Sequence, residues 1–247
     1  MVRASSLESE ARCTNGPSVL RSSSLDVDSV EVFDGSFGMS KARLEAFSDG
    51  VIAILITIMV LELRVPHGAD LAALLPIAPT FFSYVLSFVF LGIYWSNHHH
   101  MLQLTTRING AILWANLHLL FWLSIVSFAT AWMGENHFAQ MPTAIYGCVL
   151  LASAIAYTIL QQTIIAEQGP GSRLKAAVGN DLKGKMSGLL YAIAIPLAFF
   201  NHQGIAEAIY VAVALIWLVP DRRIENHIKA NARSSAGAAG ALEDNAH

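Results

Sequence analysis

Apolar residues fall in six long blocks separated by short polar breaks. The blocks cover residues 46–63, about 77–95, 111–133, 144–165, 186–200 and 205–219. A helix rises about 1.5 Å per residue, so roughly 20 residues cross the hydrocarbon of a bilayer. The first four blocks reach that length. The last two are shorter, contain Pro196 and Glu207 respectively, and meet at a tight polar break over residues 201–204. They read as a hairpin of two short spans. The pattern predicts an all-α membrane protein with six transmembrane helices over residues 41–221. The Ser-rich segment 1–40 and the segment 222–247 lack helical or strand periodicity and are expected to be loose tails. No 7–15-residue apolar run follows the early arginines, so no secretory signal peptide is expected.

Composition strengthens this reading. The chain is 54% hydrophobic and 13% charged, whereas a soluble domain carries about a quarter charged residues. Much of its surface therefore faces something other than water. A net charge of -3 is too weak to argue for a nucleic-acid partner. Cys13 lies in a polar tail and Cys148 in an apolar block, and no Cys-x-x-Cys or zinc spacing occurs.

Six spans put both tails and the second and fourth loops on one side. That side collects every Lys and Arg of the 15 except Arg64. Basic loops stay on the cytoplasmic side, so both termini are expected there.

The first block is unusual for a lipid-facing helix. Asp49 lies about one turn inside it, where an unpaired carboxylate is costly. Its candidate partners are Arg43, Ser48, and the groups that end the second span, Asn97, His98, His99 and His100. The alternative is that Ser48 and Asp49 cap the helix start. Both readings stay open at this level. Further on, Ile54, Ile58 and Leu61 are spaced four and three apart and share one narrow stripe, bordered by Thr57. Such a stripe serves packing, lipid contact or a pore, and periodicity does not choose among them.

Neighbouring residues on a helix point about 100° apart, so His98, His99 and His100 cannot chelate one ion together. The triplet is expected to form an interfacial patch with one member buried against the first helix. Trp95, Trp114, Trp122, Trp132 and Trp217 read as interfacial anchors. Glu62 either draws cations to the outer mouth or merely ends a solvated helix. No dinucleotide, phosphate-loop, zinc-protease or nucleophile-elbow motif occurs, which disfavours an enzyme.

Beyond these readings, Arg43-x-x-x-Phe47-Ser48-Asp49-Gly50, with Ala53-Ile54, Thr57 and Leu61-Glu62, resembles the first-helix signature of the transmembrane protein 175 family. These are potassium channels of lysosomes and of prokaryotes. The likeness continues through Tyr94-Trp95-x-x-His98-His99 and reaches Asn116, Leu120, Phe128, Thr130 and Gly134. It implies a single six-helix unit that assembles as a homotetramer in a prokaryotic cell membrane. It also implies that the first helix lines a pore for potassium ions and needs no cofactor. The constriction would be formed by Ile54, Ile58 and Leu61, with Thr57 beside them. Arg43, Phe47, Ser48, Asp49, His98 and Asn116 would form the structural signature, with the choice among the adjacent histidines open. Some members pass protons, so a proton leak is implied as well. Where the family often has Pro before the Phe of the third helix, this chain has Ser127, which removes a kink.

No Thr-Val-Gly-Tyr-Gly run is present, so a carbonyl-lined filter of the usual form is excluded. A ring of Ile and Leu has no dipoles to replace an ion's water. Potassium holds water less tightly than sodium, and modest selectivity of a leak type is expected. The rival functions are a secondary transporter, a His-dependent membrane oxidoreductase and a non-conducting scaffold.

Overall fold

The computed structural model describes residues 40–179 and 181–218. Apart from Ser40, the expected tails at 1–40 and 222–247 lie outside the described residues. Seven α-helices follow in order: α1 (Lys41–Ile58), α2 (Ala78–Gln103), α3 (Gly110–Glu135), α4 (Gln140–Gln168), α5 (Arg173–Val178), α6 (Leu182–Phe199) and α7 (Gln203–Leu218). Among the described residues, five helical stretches are long and apolar enough to cross a membrane, and Gln203–Leu218 is a shorter apolar helix. These six correspond to the six apolar blocks. The short α5, in the fourth loop, was not visible in the pattern.

Local chemistry sets the boundaries. Ser40 caps α1 by accepting from the Arg43 amide, and Asn109 caps α3 by accepting from Ile112 N at 2.9 Å. Asp181 caps α6 through the Gly184 amide at 3.1 Å. Pro79 sits in the first turn of α2, where its missing donor costs nothing. Gly169 ends α4 at φ 69, a conformation that suits glycine. The α6–α7 break turns on Asn201 at φ 65, within the polar stretch read as a tight turn.

Two sets of contacts define the ends of the bundle. At one end, Lys41 Nζ donates to Gln103 O at 2.9 Å and Gln168 Nε2 donates to Leu104 O at 2.8 Å. At the other, Arg64 pairs with Glu135 at 2.9 Å and Gln140 bonds Asn201 at 2.7 Å. The start of α1 therefore shares an end with the α2–α3 and α4–α6 connections. Arg64 lies at the opposite end, as the partition of basic residues requires.

The core forms two apolar clusters. One joins α1 to α2, α3 and α4 through Leu44, Ile52, Leu91, Leu119 and Leu160. The second joins α2, α3 and α4 to α6 and α7 through Phe90, Val126, Tyr146, Tyr191 and Tyr210. Small residues allow close approach, as in membrane bundles. A Cβ on Gly134 would lie 2.6 Å from the Thr80 backbone, and one on Gly147 would strike the Tyr210 hydroxyl. Outside the clusters, large apolar side chains such as Phe82, Trp114, Leu189 and Leu215 are exposed. In a bilayer that outward apolar surface costs nothing, because lipid is its solvent.

Candidate functional site

The first helix has two unlike faces. Ser48, Ile52 and Met59, at spacings of four and seven, are at most 2% exposed and pack against α2 and α3. The opposite face carries Phe47, Ile54, Ile58 and Leu61, exposed by 48%, 61%, 48% and 76%. After Ile58 the chain tightens into a 3₁₀ turn, Met59–Glu62. Residues three apart eclipse in that geometry, so Leu61 stands above Ile58 and the stripe runs straight. Thr57 lies exposed beside it and donates its hydroxyl proton to Ala53 O and Ile54 O at 3.1 and 3.0 Å. Its lone pairs stay available on the outer face.

A buried polar ladder fastens the inner face. Ser48 Oγ donates to Leu44 O at 2.8 Å, one turn back on the same helix. That bond uses its only proton, so Ser48 must accept from its next partner. The partner is Asn116 Nδ2 at 2.9 Å. With its nitrogen so directed, Asn116 turns Oδ1 toward His98 Nε2 at 2.7 Å. His98 must then donate from Nε2. Its Nδ1 is buried and has no hydrogen-bond partner among the described residues. All three side chains are fully buried. The ladder ties α1 to α3 and α3 to α2, and His98 is the member of the triplet that it uses.

Asp49 does not join this ladder. Its Oδ1 accepts from Trp95 Nε1 at 3.0 Å. Trp95 stacks on His99, with ring centroids 6.0 Å apart. Glu45 Oε1 lies 3.1 Å from His99 Nδ1, within ion-pair range but without hydrogen-bond alignment. Two carboxylates four apart on α1 thus meet Trp95 and His99, four apart on α2. Helices in contact place residues one turn apart in register, and that spacing was the signal in the sequence. Trp95, read as an interfacial anchor, is also a hydrogen-bond donor to the acidic helix start. Arg43 is exposed, and among the described residues only its amide takes part, in the Ser40 cap.

A second buried group went unnoticed in the pattern. Ser87 Oγ lies 2.6 Å from Thr130 Oγ1 and 2.9 Å from the Tyr146 hydroxyl. It joins α2, α3 and α4. Single hydroxyls in apolar blocks carry little periodic signal, so only a three-dimensional arrangement reveals it.

The C-terminal end of α1 borders a groove of about 540 Å³ against α3, between Ile58 and Glu62 on one side and Ser127, Phe128 and Glu135 on the other. Ser127 continues α3 without a break, and α3 runs unbroken from Gly110 to Glu135.

Comparison with known proteins follows the same regions. The profile of the family described as "Endosomal/lysosomal potassium channel TMEM175" matches residues 43–126, from the start of α1 into α3. A potassium channel of Chryseobacterium sp. (strain P1-3) is 55% identical over 193 residues, which span 78% of this chain and 100% of that protein. The human endosomal/lysosomal proton channel TMEM175 is 37% identical over 100 residues, 34% of this chain and 20% of that protein. The crystal structure of a lysosomal potassium-selective channel TMEM175 homolog from Chamaesiphon minutus superposes with a TM-score of 0.64 at 27% identity. That match covers 72% of this chain and 96% of the other.

Proposed function

The chain belongs to the TMEM175 family of ion channels, and from that premise we propose that it conducts potassium through a pore lined by α1. It is a multi-pass membrane protein and a channel, not an enzyme. Four copies surround the axis, with Ile54, Ile58 and Leu61 of each chain turned toward it and Thr57 beside them. Both termini face the cytoplasm, which the grouping of Lys41, Arg43, Arg107, Arg173, Lys175, Lys183 and Lys185 at the end opposite Arg64 favours.

One observation carries the pore assignment. The α1 face opposite the Ser48–Asn116–His98 ladder is a straight, exposed, apolar stripe. A ring of such side chains offers an ion no replacement for its water. It passes the cation that sheds or deforms its shell most readily, and it dewets when narrow. Potassium crosses at lower cost than sodium, with modest selectivity and leak-type behaviour. The Thr57 lone pairs lower the barrier locally.

Purified protein in potassium-loaded vesicles tests this reading. The wild type is expected to release potassium faster than sodium. Ile54→Asn is expected to raise flux several-fold and narrow the difference between the ions, because it brings a dipole to the constriction. A protein that passes no alkali cation, or an Ile54→Asn variant unchanged in both respects, would overturn it. Proton permeation is the second reading, favoured by relatives named proton channels. A pH-sensitive dye in the same vesicles reports it.

A further inference from the structure

A cavity of about 510 Å³ opens between α2, α4, α6 and α7, away from the exposed stripe of α1. Its deep wall is apolar, with Phe90, Leu151 and Ile155, and Trp217 stands nearer the mouth, where its Nε1 donates to Ser187 Oγ at 2.7 Å. Its mouth lies at the α4–α6 connection and holds Gln162, Lys175 and Lys185. From Leu151 to Gln162 along α4 is about 16 Å, so the cavity is a trench with an apolar floor and a polar rim.

Three features of the mouth point to an anionic, tailed occupant. First, neither Lys175 nor Lys185 is in an ion pair among the described residues. Second, the carboxylate at the rim already has partners. Asp181 accepts from the Gly184 amide at 3.1 Å and lies 3.5 Å from Gln161 Nε2. Third, Lys183 adds positive charge nearby, with Nζ 5.9 Å from the centre of the Trp217 ring. Lys175 and Lys185 therefore stand beside one carboxylate that is already engaged in capping, above an apolar trench. The floor also has room, because a Cβ on Gly188 would meet nothing within 4 Å.

We propose that this cavity binds a glycerophospholipid with an anionic headgroup. Its phosphate sits between Lys175 and Lys185, and an acyl chain lies along Leu151 and Ile155. Basic pockets between spanning helices take anionic headgroups in this way. A plain lipid-facing groove would take any tail and would need no cations at its mouth.

Native mass spectrometry of the full-length channel in detergent tests the proposal, with phosphatidylglycerol and phosphatidylcholine added in turn. Phosphatidylglycerol is expected to remain bound when phosphatidylcholine dissociates. Lys175→Gln/Lys185→Gln should weaken its retention about tenfold. Gly188→Leu, which fills the trench, should remove the adduct while the size-exclusion profile stays that of the wild type. If Gly188→Leu fails to fold, the lysine variant decides alone. Equal retention of both lipids, or unchanged phosphatidylglycerol binding in the lysine variant, would overturn the proposal. So would inorganic phosphate binding as tightly as phosphatidylglycerol, which would show that the tail contributes nothing.

Discussion

Asn116 is the hinge of the ladder, because it satisfies Ser48 with one end and His98 with the other. Asn116→Leu keeps the volume but strands the His98 Nε2 proton in an apolar interior. Burying an unpaired donor costs about 1–3 kcal/mol in a soluble core. In a bilayer the unfolded chain also finds partners, and single hydrogen bonds contribute about 0.6–1.7 kcal/mol. Two bonds are lost here, so a destabilisation of about 1–3 kcal/mol is expected, seen as a lower melting temperature in detergent. The Arg64–Glu135 pair is the contrast, with side chains 83% and 46% exposed. Glu135→Gln should cost less than about 1 kcal/mol, because water screens that pair. Equal losses in the two variants would contradict the assignment. The sequence pointed to Ser48, His98 and Asn116 through resemblance, since no periodicity links positions 68 and 18 residues apart. The proton order along the ladder became legible only once Ser48 was seen to donate to its own helix.

At the scale of elements, close helix contact depends on a few small residues. Gly134 lets α3 approach the first turns of α2, where an added methyl would meet the Thr80 backbone at 2.6 Å. Backbone cannot rotate away, so Gly134→Ala must push the helices apart, at a cost of about 1–3 kcal/mol. Gly92, on α2, meets nothing within 4 Å. There Ala removes glycine's helix penalty and should leave stability unchanged or slightly improved. Thermal unfolding of the two variants side by side is the check, and a neutral Gly134→Ala would contradict the packing described. Helix positions were legible because long apolar blocks of membrane-spanning length mark them. The short α5 was not, because Arg173–Val178 is too brief for a periodic signal. The 3₁₀ tightening after Ile58 was equally hidden, although it aligns Leu61 with the stripe.

At the scale of the whole molecule, one polar ladder and one apolar stripe share a single helix. The ladder fixes the rotation of α1 about its own axis, and that rotation decides what Ile54, Ile58 and Leu61 face. In the proposed assembly around an axis these side chains share a lumen, whereas a lone unit would leave them against lipid. The bundle itself could be read from hydropathy and the placement of basic residues. The pore could not, because lipid and a dry constriction select the same apolar side chains. The family resemblance is what favours the pore reading.

Cysteine accessibility at position 54 is the most direct measurement. Cys148 is exposed, so Ile54→Cys is made with Cys13→Ser and Cys148→Ser and reconstituted in potassium-loaded vesicles. A water-soluble cationic thiol reagent is expected to modify position 54 and to stop most of the potassium flux. The same reagent should leave Leu215→Cys, on the outer apolar surface of α7, unmodified. Contradiction would be a position 54 that resists the soluble reagent, reacts with a lipid-soluble one, and leaves flux unchanged.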